Sequence, residues 1–337
     1  MIGRNGPASI PRPEYEPRLE LVRRLLLGLA CFAVAVPVAS ARPFLGVLGG
    51  QARFQTLTGQ YSAVGHVILG WDQGFRWGGR LSTFVAQNRP MPMIGLNGTG
   101  RDNREAITPR GLALGSGDQY LFALNRAVFD WGRPIYLRPF GEMNGHWNSV
   151  CAYTASGRFK GAAHATRWFR KGFSRVYLLL HGGPAVTINA RLQALGLPLI
   201  HRDLPFNPYP TLRVIWNPQG FGSPDVPGNR AAAYYPGDRY VDIVGNDLYD
   251  IKYRAQWEAN DRLYKAHPSK PYAFPEWGLW GIDDPAFIRH MASFVRSHRR
   301  VELLSWFNGQ RRGSIFDLAS KPASRRLYRS LITPLGR

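Results

Sequence analysis

The sequence predicts a single α/β domain of the (β/α)8 TIM-barrel class, preceded by an N-terminal signal segment. Its 337 residues suit this class, since such barrels often reach about 250 residues or more as one unit. Short, nearly continuous apolar runs alternate with longer amphipathic stretches, as expected of parallel strands that are buried on both faces. A doubly wound sheet is the competing architecture, but no glycine-rich phosphate loop follows any of the runs.

The predicted elements alternate along the chain. The predicted strands are residues 44–48, 64–69, 92–96, 135–139, 212–216, 241–246, 272–275 and 303–307. The predicted helices are residues 79–87, 118–131, 162–180, 255–267, 285–298 and 320–332. Of two long connections, residues 181–210 follow a helix and are expected at the N-terminal end of the barrel. Residues 217–239 follow a strand and are expected at the C-terminal end, where barrels build active sites.

Composition and charge limit the class of protein. Hydrophobic residues make up 45% of the chain, enough to bury a large core and to exclude wholesale disorder. Lys and Arg number 43 against 22 Asp and Glu, a formal net charge of +21. A basic surface attracts polyanions, although arginine enrichment is also an ordinary effect of genome composition. The sequence shows no helix-turn-helix, zinc-finger or RNA-binding pattern, so no nucleic-acid partner is expected.

Residues 1–41 have the pattern of a secretory signal. Two arginines precede an apolar run over residues 25–36, and an Ala-Ser-Ala cleavage site ends at Ala41. The run is shorter than the roughly 20 residues that span a bilayer, so no stable membrane span is expected. Because 24 residues precede the run, an uncleaved anchor and a misassigned start codon stay open. We therefore expect a secreted or periplasmic protein in which residues 42–337 form the barrel.

Two glutamates follow predicted strands and carry the strongest chemical signal. Glu142 lies beyond the fourth strand and Glu276 beyond the seventh, each among aromatic, proline and glycine residues. A carboxylate next to a buried strand is costly to desolvate, so it is usually paired or functional. Either one alone is more often part of a structural ion pair. Two of them at the ends of barrel strands are a far more specific signal of a catalytic site.

The segments around these positions resemble glycoside hydrolase family 26, the β-mannanase family. They are R-P-F-G-E-M-N-G-H-W at residues 138–147, V-I-W-N-P at 214–218 and Y-P-G-D-R-Y-V-D-I-V-G-N-D-L-Y at 235–249. The family belongs to a clan of retaining glycosidases whose acid/base and nucleophile end strands four and seven of the barrel. The resemblance therefore implies that Glu142 is the acid/base and Glu276 the nucleophile.

One position departs from the family pattern. The family usually has His before the acid/base and the wider clan Asn, whereas this chain has Gly141, which leaves its specificity for mannan open. The resemblance further implies that Arg138 and Tyr249 hold Glu276 charged and oriented. Retention requires the two carboxyl groups about 5–5.5 Å apart, against roughly 6.5–9.5 Å for inversion. We predict the shorter, retaining spacing.

Substrate contacts are expected from aromatic and short polar side chains at the strand ends. Pyranose rings stack on aromatic faces, and sugar hydroxyls need polar partners. The predicted substrate-binding residues are Arg138, Asn144, Trp147, Trp216, Asn217, Asp247, Tyr249, Trp277 and Trp306. Barrels commonly bury tryptophan at this end, so not every one of these tryptophans is expected to contact substrate. Trp147 and Trp306 are the leading candidates.

The predicted function is that of a retaining, endo-acting glycoside hydrolase that cleaves a β-linked polysaccharide, mannan-like or related. The alternative is a catalytically weak or inactive barrel that binds exopolysaccharide during export or assembly. The basic charge makes an acidic polysaccharide a candidate partner. We expect no cofactor and no metal site, because the histidines lack ligand spacing, and we expect a monomer.

Overall fold

A barrel of parallel strands forms the centre of the computed structural model, which describes residues 42–309 and 311–337 together with Met1 and Gly3. The predicted signal segment, residues 1–41, lies outside the described residues apart from those two positions. The strands are β1 (Phe44–Leu48), β2 (Val64–Leu69), β3 (Met91–Leu96), β4 (Ile135–Pro139), β5 (Leu212–Trp216), β6 (Ile243–Gly245), β7 (Leu248–Ile251), β8 (Tyr272–Trp280) and β9 (Val301–Phe307). Their order is β6-β5-β4-β3-β2-β1-β9-β8-β7, and a further pairing of β6 with β8 closes the sheet.

β6 and β7 share one of the eight positions around this barrel. β6 pairs with the first residues of β8 through Val244 and Gly245. β7 pairs with the last residues of β8, from Leu248 to Ile251. The predicted sixth strand, residues 241–246, is therefore shorter in the structure: β6 ends at Gly245, and β7 begins after Asn246 and Asp247, which belong to neither strand. The eight-position (β/α)8 barrel predicted from the sequence is confirmed.

Helices surround the barrel. They are α1 (Gln51–Thr58), α2 (Leu81–Gln87), α3 (Pro109–Ala113), α4 (Asp118–Trp131), α5 (Thr166–His181), α6 (Ala185–Ala194), α7 (Trp257–Ala266), α8 (Pro285–Ser297) and α9 (Pro322–Leu327). The prediction omitted α1, α3 and α6, which are short or weakly amphipathic; α1 buries only Phe54 and Thr58. After β5 the chain forms three short 3-10 turns instead of an α-helix. Among the described residues, no helix combines the length and apolarity needed to cross a membrane.

The barrel interior is apolar toward the N-terminal ends of the strands and polar toward their C-terminal ends. The lower layer consists of Val64, Met93, Tyr136, Ile215, Ile243, Ala273 and Leu303, all without exposed surface. Side chains two positions apart on a strand point to the same face. Arg138 and Asn217 therefore follow Tyr136 and Ile215 on the inner face, one step closer to the C-terminal end. The charged groups at the C-terminal end of the barrel thus lie directly next to an apolar layer.

A buried ion pair joins two of the outer helices. Arg175 of α5 donates to both carboxylate oxygens of Asp118 in α4, at 2.7 and 2.5 Å. The Arg175 side chain is only 1% exposed, so the pair lies between the helices rather than on the surface. Two parallel hydrogen bonds of this kind fix geometry as well as charge.

Candidate active site

A tight turn after β4 positions Glu142. Phe140 and Glu142 have φ values of 54° and 59°, in the left-handed region that costs non-glycine residues about 1–3 kcal/mol each. The Phe140 N–H donates to the carbonyl of Leu96, and the Glu142 N–H donates to the carbonyl of Asn217, both at 2.7 Å. These two bonds tie the turn to the ends of β3 and β5 and offset its strain.

The Glu142 carboxyl lies between two donors and a second carboxyl group. Trp147 Nε1 donates to Oε2 at 2.7 Å and Gln219 Nε2 to Oε1 at 3.0 Å. Burial raises the pKa of Glu142, the negative charge of Glu276 raises it further, and Arg138 together with the two donors only partly opposes them. Glu142 therefore keeps its proton at higher pH than an exposed glutamate, as a general acid must.

Glu276 has a different environment, in which both carboxylate oxygens accept hydrogen bonds. Arg138 Nη1 donates to Oε1 at 2.6 Å, and the Tyr249 hydroxyl donates to Oε2 at 2.7 Å. The Glu276 N–H donates to Asp247 Oδ1 at 2.9 Å. Burial raises the pKa of Tyr249 well above its ordinary value, and the charge of Glu276 adds to this, so the phenol stays a donor. These contacts fix the orientation of the Glu276 carboxyl group.

Arg138 is the centre of the charged cluster. Its guanidinium also bonds Asp247 Oδ2, and its Nε donates to Asn217 Oδ1 at 3.3 Å. Burial opposes its positive charge, but the carboxylates of Asp247, Glu276 and Glu142 outweigh burial and raise the pKa of Arg138. For Asp247, in contrast, burial acts in the raising direction: it is the largest effect on this carboxyl group, and it raises the pKa well above its usual range. One guanidinium thus faces three carboxyl groups, two of which hold protons more tightly than exposed acids do.

Gly141 leaves no gap beside this cluster. A Cβ added there would lie 2.3 Å from both Cζ and Nη2 of Arg138, far inside ordinary contact distance. The guanidinium therefore lies directly against the Gly141 backbone, where the side chain of the family's His would begin. The glycine that departs from the family pattern is the residue that makes room for this position of Arg138.

Two of the predicted substrate partners act instead on the protein itself. Asn144 is fully buried and exchanges two hydrogen bonds with the backbone of Gln219, at 3.0 and 2.8 Å. The Asp247 side chain has no exposed surface and holds Arg138 and the Glu276 backbone. Asn217 is also buried, with Oδ1 on Arg138 and with Nδ2 lacking a partner among the described residues. Of these three residues, only Asn217 has a side-chain donor without a partner among the described residues, and that donor is itself buried.

Three predicted tryptophan platforms are buried in the core. Trp216, Trp277 and Trp306 are each 0% exposed, so the expectation that they offer open faces to a sugar is not met. Trp277 and Trp306 pack perpendicular to each other, with ring centroids 4.7 Å apart, and the Trp216 Nε1 donates to the carbonyl of Tyr234. Each belongs to the large apolar cluster that also contains residues of the surrounding helices; for Trp277, a register shift between Phe274 and Trp277 reverses the face that alternation from Ala273 would give.

The exposed tryptophans are elsewhere on the rim. Trp147 is 51% exposed, and its Nε1 donates to Glu142; its role as a sugar platform stays a prediction. Gln219 and Trp280 were not predicted from the sequence. Trp280 ends β8 and is 45% exposed, while Gln219 lies in the top connection that follows β5. In the described part of the chain, no three acidic, His or Cys side chains form a group that could bind a metal.

Comparisons with known proteins support the fold. No family model matches the chain. The chain is 20% identical over 292 residues to endoglucanase H of Acetivibrio thermocellus, covering 83% of this chain but only 28% of that protein. The YdhT protein of Bacillus subtilis matches 86% of this chain and 85% of its own, with a TM-score of 0.54 and 17% identity. The family 26 β-mannanase BoMan26A of Bacteroides ovatus matches 86% of each chain, with a TM-score of 0.52 and 15% identity.

The solved structures therefore share the (β/α)8 barrel of glycoside hydrolase family 26 β-mannanases with this chain. The resemblance to that family predicted from the motifs around Glu142 is confirmed at the level of fold.

Proposed function

We propose that this chain is a retaining, endo-acting glycoside hydrolase that cleaves a β-linked polysaccharide, β-1,4-mannan or a related β-glycan. One observation carries the proposal: two carboxyl groups at the barrel mouth have opposite environments. Arg138 and Tyr249 hold Glu276 as a charged, oriented group, whereas burial and the neighbouring charge raise the pKa of Glu142. Such a division of roles is what double displacement needs. The endoglucanase and mannanase relatives support a glycoside hydrolase acting on β-glycans.

In the first step Glu142 is the acid and Glu276 the nucleophile. The Glu142 proton passes to the glycosidic oxygen as the bond to the anomeric carbon breaks. Glu276 forms a bond to that carbon, which gives a glycosyl–enzyme ester and a free leaving-group hydroxyl. As the ester forms, the negative charge on Glu276 is lost, and the hydrogen bonds from Arg138 and Tyr249 weaken.

In the second step Glu142 acts as a base. It removes a proton from water, and the resulting hydroxide displaces Glu276 from the anomeric carbon, so the configuration is retained overall. Trp147 and Gln219 stay within hydrogen-bond distance of the Glu142 carboxylate and can stabilise the charge that it carries between the two steps. The cycle returns Glu142 to the protonated form.

A glycan panel tests this function. The parent, Glu142→Gln and Glu276→Ala are incubated with β-1,4-mannan, glucomannan, mixed-linkage β-glucan and an acidic polysaccharide, and released reducing ends are measured. Glu258→Gln is the matched control, because its carboxylate is 94% exposed on α7. We expect turnover by the parent and the control only, with the β-anomer appearing first by NMR. An initial α-anomer from a β-linked substrate would refute the retaining mechanism.

The second candidate is a barrel that binds exopolysaccharide without cleaving it. Gly141 favours it, because the family's His is replaced and Arg138 occupies part of that space. Under this hypothesis no glycan in the panel is cleaved, while the parent, Glu142→Gln and Glu276→Ala bind the same polymer equally well. Cleavage by the parent that both variants lose eliminates it.

For the N-terminal region we propose a secretory signal over residues 1–41 and a secreted or periplasmic protein. The support is the sequence pattern alone, with its arginine pair, short apolar run and Ala-Ser-Ala site. The N-terminal sequence of the exported protein tests it. A mature chain that begins at Arg42 is expected, and a full-length chain retained in the cell would contradict it.

A further inference from the structure

We infer that Trp280 and Phe316 form a sugar-binding subsite beside the nucleophile, for the glycone part of a β-linked pyranose chain. The inference rests on the proposed function for the chemical class of its ligand. Its geometry comes from side chains that neither the sequence motifs nor the catalytic steps involve.

The Trp280 indole is held from the side and open to solvent. Its ring centroid lies 4.8 Å from that of Phe316, with the planes 76° apart, and 5.8 Å from that of Tyr249, with the planes 80° apart. Phe307 supports Phe316 at 4.8 Å. Despite these contacts the indole residue is 45% exposed. A rigid aromatic ring with an open surface is suited to stacking on the apolar face of a pyranose.

The aromatic cluster is continuous with the catalytic centre. Tyr249 contacts Trp280 and Phe316, and its hydroxyl group also donates a hydrogen bond to Glu276 at 2.7 Å. A sugar on the indole would therefore be one side chain away from the nucleophile. The cluster is attached to β8 and the segment after β9, whereas Trp147 follows β4 on another part of the rim.

Two exposed indoles are thus linked to the carboxyl pair, one to each member. Trp147 bonds Glu142, which protonates the leaving group, so its side of the cleft receives the leaving part of the chain. Trp280 is linked through Tyr249 to Glu276, which attacks the anomeric carbon, so its side receives the glycone. A polymer that crosses the carboxyl pair meets an aromatic platform in both directions, as an endo-acting enzyme requires.

The surroundings of Trp280 are unusually apolar for an exposed rim. Ile251 is its register partner across β7 and β8 and is 45% exposed. Ile315 is 49% exposed, and its carbonyl accepts the Gly281 N–H at 3.1 Å. Contiguous apolar groups on a protein surface generally mark a binding site. Here the surface adjoins the nucleophile, so the ligand that fits is a substrate ring.

Oligosaccharide binding tests the subsite without depending on turnover. Glu142→Gln in the full chain prevents cleavage, and linear β-1,4-linked mannohexaose and glucohexaose are titrated by calorimetry. To this background we add Trp280→Ala, Trp280→Phe or, as control, Phe129→Ala, a ring 48% exposed on the outer helix α4. We expect Trp280→Ala to weaken the better ligand by about tenfold or more, as removal of an aromatic anchor does. Trp280→Phe should recover most of the affinity, and Phe129→Ala should change nothing.

The outcomes separate this inference from the proposed function. If Trp280→Ala binds both hexasaccharides like its background, or if that background binds neither, the subsite is wrong, even when the parent hydrolyses glycans. If binding depends on Trp280 but the parent cleaves no glycan in the panel, the subsite stands and the hydrolase proposal fails. Unchanged thermal midpoints across the variants exclude misfolding as the cause of lost affinity.

Discussion

Replacing Gly141 with alanine should disable the site while leaving the fold intact. The backbone φ at Gly141 is not positive, so alanine meets no backbone strain there. Its Cβ, however, would lie 2.3 Å from Arg138 Cζ and Nη2 and 2.5 Å from Nε. The guanidinium must therefore move, although it holds Glu276 and Asp247.

The structure gives the size of the effect. Carbon contacts are favourable at about 3.5–4.0 Å, so the guanidinium must retreat by at least about 1 Å. Its 2.6 Å bond to Glu276 would stretch beyond hydrogen-bond length or be lost. Misplacement by about 1 Å can cost roughly 10²-fold in rate, and a weakened charged hydrogen bond costs about 1.5–3 kcal/mol of stability. We expect kcat to fall about 100-fold, with KM nearly unchanged.

Steady-state kinetics and denaturant unfolding measure both quantities. Gly79→Ala is the matched control, because its Cβ would meet nothing closer than 3.8 Å. The double variant Gly141→Ala/Arg138→Ala shows whether the loss acts through Arg138. If it does, the double variant is no slower than Arg138→Ala alone, since effects on one contact are not additive. Parent-like kcat in Gly141→Ala, or fully additive losses in the double variant, would refute this reasoning.

Three further predictions concern separate contacts. Tyr249→Phe removes the 2.7 Å bond to Glu276 and should lower kcat about 10²-fold with an unchanged thermal midpoint; kinetics that match the parent would contradict this role. In the proposed mechanism Glu142 must be protonated, and burial and Glu276 raise its pKa. The ratio kcat/KM should therefore fall as pH rises through a value above about 4.3, the ordinary glutamate pKa. In Glu276→Gln, NMR titration should find that Glu142 loses its proton at lower pH; an unchanged titration would show that the neighbouring charge has no effect. Asp118→Ala leaves the buried Arg175 guanidinium without its carboxylate partner. The free energy of unfolding, measured with denaturant, should fall by about 3–5 kcal/mol, while activity per folded molecule stays the same. A loss under about 1 kcal/mol would count against a buried pair.

The barrel could be predicted because most of its strands are uninterrupted apolar runs. The bounds of β1, β2, β4 and β5 agree with the prediction to the residue. The break between β6 and β7 could not be foreseen, since it depends on how both segments pair with β8. β8 itself continues past Pro275 and Glu276 to Trp280, whereas a proline usually ends or interrupts a strand.

The site shows the same division between local pattern and tertiary placement. Glu142, Glu276, Arg138 and Tyr249 were predicted from motif and strand end, and the structure brings the four side chains together at the barrel mouth. The buried tryptophans were misassigned because position at a strand end does not determine the face. The alternation of side chains along β5 would have predicted the correct face for Trp216. Asn217 points into the barrel, so the preceding Trp216 must point toward the helices.

The interruption between β6 and β7 is a seam in the barrel wall beside Glu276. Asp247 lies in the seam, and its Oδ1 accepts the N–H of Glu276. An opening of the sheet there would loosen the backbone of Glu276, the proposed nucleophile, while the remaining strands stay paired. Loss of turnover on heating should therefore precede melting, and a cross-link across this seam would prolong the working life of the catalyst more than stiffening the outer helices.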